Sequence, residues 1–165
     1  MPDLQLQDEL INLTKELISI PSTHSRPQEI INCAVFIEKW LKKNNISFER
    51  QNSGNIPTIL VHPENGSVPV LLMSHFDVVE AADDKLFQPW FDDGRLYGRG
   101  SIDDKYGVAL SLILYREHLQ ALQSKGHSSA EMSFGLLFTG DEEIGGANGA
   151  AVAANRVSTE FFLAI

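Results

Sequence analysis

The sequence predicts an α/β domain whose mostly parallel sheet is flanked by helices, and two observations carry that prediction. Apolar residues at helical spacing dominate the first 45 positions. Beyond them, short apolar runs alternate with helical segments, the order that sets helices against both faces of a parallel sheet. Internal repeats, low-complexity tracts and interdomain linkers are lacking, so residues 1–165 read as one unit.

Leu6, Leu10, Leu13, Leu17 and Ile20 recur at spacings of three and four, predicting an amphipathic helix over 3–20 ended by Pro21. Ser25, three residues before Gln28, offers a cap for a second helix. Its apolar face is Ile30, Ala34, Ile37 and Leu41, closed by the Asn44-Asn45 break. Strand-like runs follow at Ile46–Gln51, Thr58–His62 and Val68–Ser74. The last reads VPVLLMS, apolar on both faces, which suits a strand buried between two layers. Asp93-Gly94, between WFD and RLYG, has the chemistry of a tight hairpin turn. A long helix is predicted from Lys105 to Gln123, a strand from Glu131 to Thr139, a small-residue helix from Ala147 to Asn155, and a last apolar run from Phe161 to Ile165. The chain stops inside that run without a polar ending, so an incomplete domain is expected.

Hydrophobic residues make up 43% of the chain, enough for an ordinary core. Thirteen basic against 22 acidic residues give a formal charge of −9, which repels phosphate backbones and anionic membranes, so no nucleic-acid partner is expected. Cys33 is the only cysteine and sits on a helical apolar face, where a buried, inert thiol is expected. The N-terminus, MPDLQLQDEL, lacks a basic segment followed by an apolar run, and no stretch approaches the ~18 apolar residues of a membrane span. A cytoplasmic location without a membrane partner is the expectation.

Three polar clusters sit where strands are predicted to end. His75-Phe76-Asp77 follows VLLMS, and residues two apart in extended chain share a face, so Asp77 can fix the tautomer of a metal-ligating His75. Taken alone, the triplet is weak evidence and reads more readily as a satisfied polar pair at a strand end. GRGSIDDK, residues 98–105, begins like a dinucleotide fingerprint, but Asp103 stands where the third glycine belongs. What remains is a glycine turn delivering Asp103 and Asp104 to a helix start, as caps or as a carboxylate bridging two cations. TGDEEIGG, residues 139–146, places Glu142 beside Glu143, one able to ligate a metal while the other takes a proton from the attacking water. Like charges this close raise at least one pKa. One imidazole with several carboxylates suits zinc, manganese or cobalt.

The segments LLMSHFDVV, LYGRGSIDDKYG and LLFTGDEEIGG, with the early Ile20-Pro21-Ser22 triplet, resemble the signatures of the dinuclear zinc amidohydrolases. That family includes aminoacylase-1, acetylornithine deacetylase, succinyl-diaminopimelate desuccinylase, glutamate carboxypeptidases and carnosinase-type dipeptidases. The resemblance implies that residues 1–165 are the N-terminal part of a zinc-peptidase catalytic domain, without its lid or dimerisation domain and C-terminal part. It makes His75 a ligand of one zinc, Asp103 the bridging ligand and Glu143 a ligand of the other zinc. Glu142 becomes the general base and Asp77 its catalytic companion, orienting His75. The cofactors implied are two Zn2+, with Co2+ or Mn2+ as substitutes, and the substrate a small peptide or N-acyl amino acid. The lid domain leaves a homodimer open for the full-length protein. The family's remaining ligands, a further Asp and a C-terminal His, are not among these residues, so the fragment alone is expected to be inactive.

The rival reading is a truncated, non-catalytic relative that serves as a binding domain. A magnesium-dependent phosphotransfer domain lacks support, because no glycine loop with Lys-Ser/Thr is present. His24, His62, His118 and His127 read as structural or surface residues, Trp40 as part of a helix face and Trp90 as a buried loop residue.

Overall fold

A computed structural model describes residues 4–63 and 66–165. The first predicted helix is α1, Leu4–Ile18, which buries Leu13, Leu17 and Ile18; residue 3 of that prediction lies outside the described residues. Helix α2, Pro27–Lys43, starts with proline at its first turn and has no side-chain cap, so Ser25 does not cap it. Ser25 turns instead to Glu80. At the other end of α2, Asn45 adopts φ 56° while Asn45 N–H donates to Lys42 O and Ile46 N–H to Leu41 O. This paired closure is a Schellman motif, with Ile46 and Leu41 both buried beside it. The closure consumes Ile46, so the strand predicted to begin there starts later.

The strands are β1 (Glu49–Ser53), β2 (Ile56–Val61), β3 (Ser67–His75), β4 (Trp90–Asp92), β5 (Arg95–Tyr97), β6 (Phe134–Thr139) and β7 (Ser158–Ala164). Gly54 and Asn55, at φ 56° and 66°, make a two-residue turn that joins β1 to β2. Positive φ at both turn positions matches the right-handed twist of the flanking strands. The predicted Asp93-Gly94 turn has the same geometry, φ 46° and 72°, and closes β4 on β5 as a separate two-stranded ribbon. On that ribbon Trp90 is 46% exposed and stacks on Tyr97 at 5.0 Å, so it is not the buried loop residue expected.

The main sheet has the order β1-β2-β6-β3-β7. Strand β6 pairs parallel with β3, β3 parallel with β7, and β2 antiparallel with both β1 and β6. Four of the five strands therefore point one way, with β2 reversed. Helix α3, Lys105–Ser124, joins α1 and α2 over one face, where Ile59, Val61, Leu72, Leu136 and Phe138 are buried. The other face buries Leu60, Val68, Leu71 and Leu137 under Ala153 and Val157. Its cover is thin, because the helix predicted over 147–155 is reduced to α4, Ala150–Ala153, followed by a single 3-10 turn. Strand β7 closes the sheet at one edge with Phe161, Phe162 and Leu163 each more than half exposed. Among the described residues, no helix is long and apolar enough to cross a membrane.

Candidate metal centre

Parallel register aligns the carboxyl ends of two central strands. His75, the last residue of β3, lies opposite Thr139, the last of β6, and Phe76 N–H donates to Thr139 O at 2.9 Å. The two polar clusters that follow these strands are therefore neighbours. Asp103 arrives from the β5–α3 connection, so it comes from a helix start and not from a main-sheet strand end.

His75 is 7% exposed. Its Nδ1 lies 3.0 Å from the main-chain carbonyl of Asp77 and 3.4 Å from that residue's carboxylate. A proton held on Nδ1 leaves Nε2 facing the cleft, 2.8 Å from Asp103 Oδ1 and 3.8 Å from Glu142 Oε2. Burial alone would lower the His75 pKa, but the hydrogen bond and charge of Asp77, with Asp103 and Asp104, outweigh it and raise the pKa to about 9.

Asp103 is exposed, whereas Asp104 is buried and points inward, its carboxylate accepting from the His75 backbone N–H at 3.1 Å. Asp104 directly precedes α3; its carboxylate makes no regular cap but lies against the Gly107 backbone in the first turn, so it links the strand end to the helix start. Burial, with the charge of Asp103, raises its pKa to about 6.

The segment after β6 is hung from Asp141, which is fully buried. Its carboxylate accepts from Thr139 Oγ1 at 2.6 Å, Asn148 N at 2.9 Å and Gly149 N at 2.8 Å, while its carbonyl accepts from Gly146 N. A Cβ at Gly149 would lie 2.2 Å from Asp141 Oδ1, so only glycine admits this approach. The turn Glu142–Ile144 thereby presents Glu142 and Glu143 toward His75. Glu143 accepts from Val79 N–H, and burial together with Asp103 raises its pKa. Sequence reasoning missed Asp141; the available signal was an acid directly before a turn rich in glycine and asparagine, where Asp side chains hold backbone N–H groups.

Asp77 is fully buried and has four donors around its two oxygens. Oδ1 accepts from Glu142 N at 3.2 Å with His75 Nδ1 nearby, and Oδ2 accepts from Glu143 N at 3.0 Å and from His24 Nε2 at 2.9 Å. These bonds hold its pKa low against the opposing effect of burial. His24 was assigned no part in the site by sequence, because a lone histidine between helices carries no periodic or spacing signal.

Ligand atoms of His75, Asp103 and Glu143 all lie within 4.8 Å of one another, near enough to take part in holding metal. An imidazole with carboxylates is a donor set that fits a divalent transition ion. It is the one such group of three among the described residues. The group opens on a cleft of about 570 Å³ at the carboxyl ends of β3, β6 and β7, where ligand sites of such sheets collect.

The family model for peptidase family M20/M25/M40 matches residues 71–164. The chain belongs to this family. Among M20 relatives, a peptidase M20 domain-containing protein of Schizosaccharomyces pombe is 32% identical over 164 residues, covering 96% of this chain and 38% of the relative. A succinyl-diaminopimelate desuccinylase of Xylella fastidiosa is 31% identical over 140 residues, covering 82% of this chain and 35% of the relative. The chain thus spans little more than a third of the length of either. Human carnosine dipeptidase 1 shares the fold with a TM-score of 0.67 at 21% identity, covering 86% of this chain and 34% of the human one.

Proposed function

We propose that this M20 chain forms the N-terminal part of a two-metal hydrolase, zinc by preference, that cleaves a linear amide bond in small peptides or N-acyl amino acids. The observation that carries the reading is the convergence of His75, Asp103 and Glu143 within 4.8 Å, with the Glu142 carboxylate 3.8 Å from His75 Nε2 and not needed as a ligand. Family membership supports metal-dependent amide hydrolysis in general. Asp103, with two carboxylate oxygens, would be the shared ligand, and His75 and Glu143 would each hold one ion. Divalent metal, when bound, supplies Lewis acidity toward the scissile carbonyl and the attacking water. Asp77 keeps the Nδ1 proton of His75 in place so that Nε2 presents its lone pair. Glu142 takes the proton of the attacking water on a carboxylate oxygen and hands it to the leaving amine.

Within residues 1–165 each ion would have two of these ligands, one fewer than the three protein ligands typical of a catalytic zinc. The 165-residue chain alone is therefore expected to hold metal loosely and to turn over no substrate. The test is metal analysis of the full-length protein after reconstitution, with a panel of dipeptides and N-acyl amino acids. Two ions per chain and amine release from a panel member are expected; zero metal would overturn the reading.

A further inference from the structure

The connection between α1 and α2 is bound along the segment that follows His75. Ser22 Oγ donates to Phe76 O at 2.5 Å, Val78 N–H donates to Ser22 O at 3.0 Å, and Ser25 holds the Glu80 carboxylate through its backbone N–H and hydroxyl. Between these clamps His24 Nε2 reaches Asp77 Oδ2 at 2.9 Å. The other donors to Asp77 belong to the strand ends themselves: His75 and the backbone N–H groups of Glu142 and Glu143. An aspartate carboxylate turns readily about its last torsion, so the position of its oxygens is set by the donors around it. His24 supplies the shortest of these contacts and the only one from outside the β3 and β6 ends.

We infer that His24 is a positioning residue for the metal centre, fixing the Asp77 carboxylate and through it both the His75 ring and the Glu142–Glu143 turn. The inference rests on the metal-binding reading above. Its chemistry is donation: a charge-assisted hydrogen bond from an imidazole N–H to a buried carboxylate. A glutamine amide reaches about as far as Nε2 and can replace that donor, whereas an asparagine amide is one methylene short.

The test is Co2+ titration of the full-length protein, followed by the visible absorption of the bound ion, for the wild type, H24Q, H24N and H24L, with S25A as a control that loosens the connection without touching Asp77. Outer partners of metal ligands are worth 10–100-fold in affinity. H24N and H24L should bind Co2+ at least about tenfold more weakly with a changed spectrum, while H24Q and S25A stay within about threefold of wild type. Melting curves exclude unfolding as the cause, and H24N, polar and smaller, remains informative if H24L does not fold. Equal affinity of H24N and wild type overturns the inference and leaves the metal site standing, as does equal loss in H24Q and H24N. Absence of Co2+ binding by the wild type overturns the metal reading itself.

Discussion

The Lys105 ammonium, fully buried, donates to the main-chain carbonyl of Leu17 at 2.8 Å, and the same nitrogen reaches the carbonyl of Ile20. The Lys105 nitrogen thus closes the C-terminal end of α1, where carbonyls and the helix dipole favour a donor, while burial lowers its pKa. Lys105 also follows Asp103-Asp104, so one side chain ties the first helix to the start of α3. Lys105→Met retains the aliphatic stem but removes the side-chain donor from both carbonyls, which keep only the backbone N–H groups of Ile20 and Ser22. A loss of about 2–3 kcal/mol is expected, read as a lower urea midpoint with an unchanged slope.

Glu142 and Glu143 are adjacent yet placed differently. Glu143 is half-buried and bound to Val79 N–H, whereas Glu142 is 58% exposed toward the cleft. In the full-length protein, Glu142→Ala should abolish turnover with both metals retained, and Glu143→Ala should loosen one metal. Comparable metal loss in the two variants would contradict the division of roles.

The neighbouring aspartates make a second contrast. Asp103 faces Nε2 of His75, and Asp104 holds the His75 backbone from behind. Asp103→Ala should impair binding of both ions, His75→Ala should leave one measurable, and Asp104→Ala should chiefly lower stability, since it leaves a buried N–H without its partner, at about 1–3 kcal/mol. Metal titration with circular dichroism distinguishes the three; loss of both ions in Asp104→Ala with retention in Asp103→Ala would move the shared ligand by one residue.

The raised His75 pKa, about 9 against 6.5, gives a pH signature in chelator. Protonated His75 is favoured in the folded state, so its contribution to stability is complete below pH 6.5 and is lost as pH rises through about 9, roughly 3 kcal/mol at most. The melting temperature of the metal-free protein should fall across that window, and His75→Gln should flatten the slope. Because metal displaces the same proton, apparent metal affinity should rise over the same range. A flat melting profile for the wild type would show that the proton is not held.

What could be read from sequence divides by distance along the chain. The long helix, the buried strand β3 and the Asp93-Gly94 turn announced themselves through local period and turn chemistry, and His75, Asp103 and Glu143 through motifs at element ends. The β1–β2 hairpin was missed although Gly54-Asn55 is a turn pair, because the two apolar runs were drawn too short to reach it. Trp90 was assigned to the interior from its type alone, while the short ribbon that carries it leaves it half exposed. His24 and Asp77 are 53 residues apart, and a single hydrogen bond between distant polar side chains leaves no trace in hydropathy.

The sheet order also sets a clock for synthesis. Strand β3 pairs only with β6 and β7, so its two edges stay unmatched from the time residue 75 is made until residue 139 follows. At ordinary elongation rates of about 5–20 residues per second, that interval is roughly 3–13 s. During it the apolar VPVLLMS strand has no partner, because in the finished sheet β6 stands between it and the β1–β2 hairpin. Slowing translation between codons 76 and 133 would lengthen the exposure of a sticky edge, and faster delivery of β6 would shorten it.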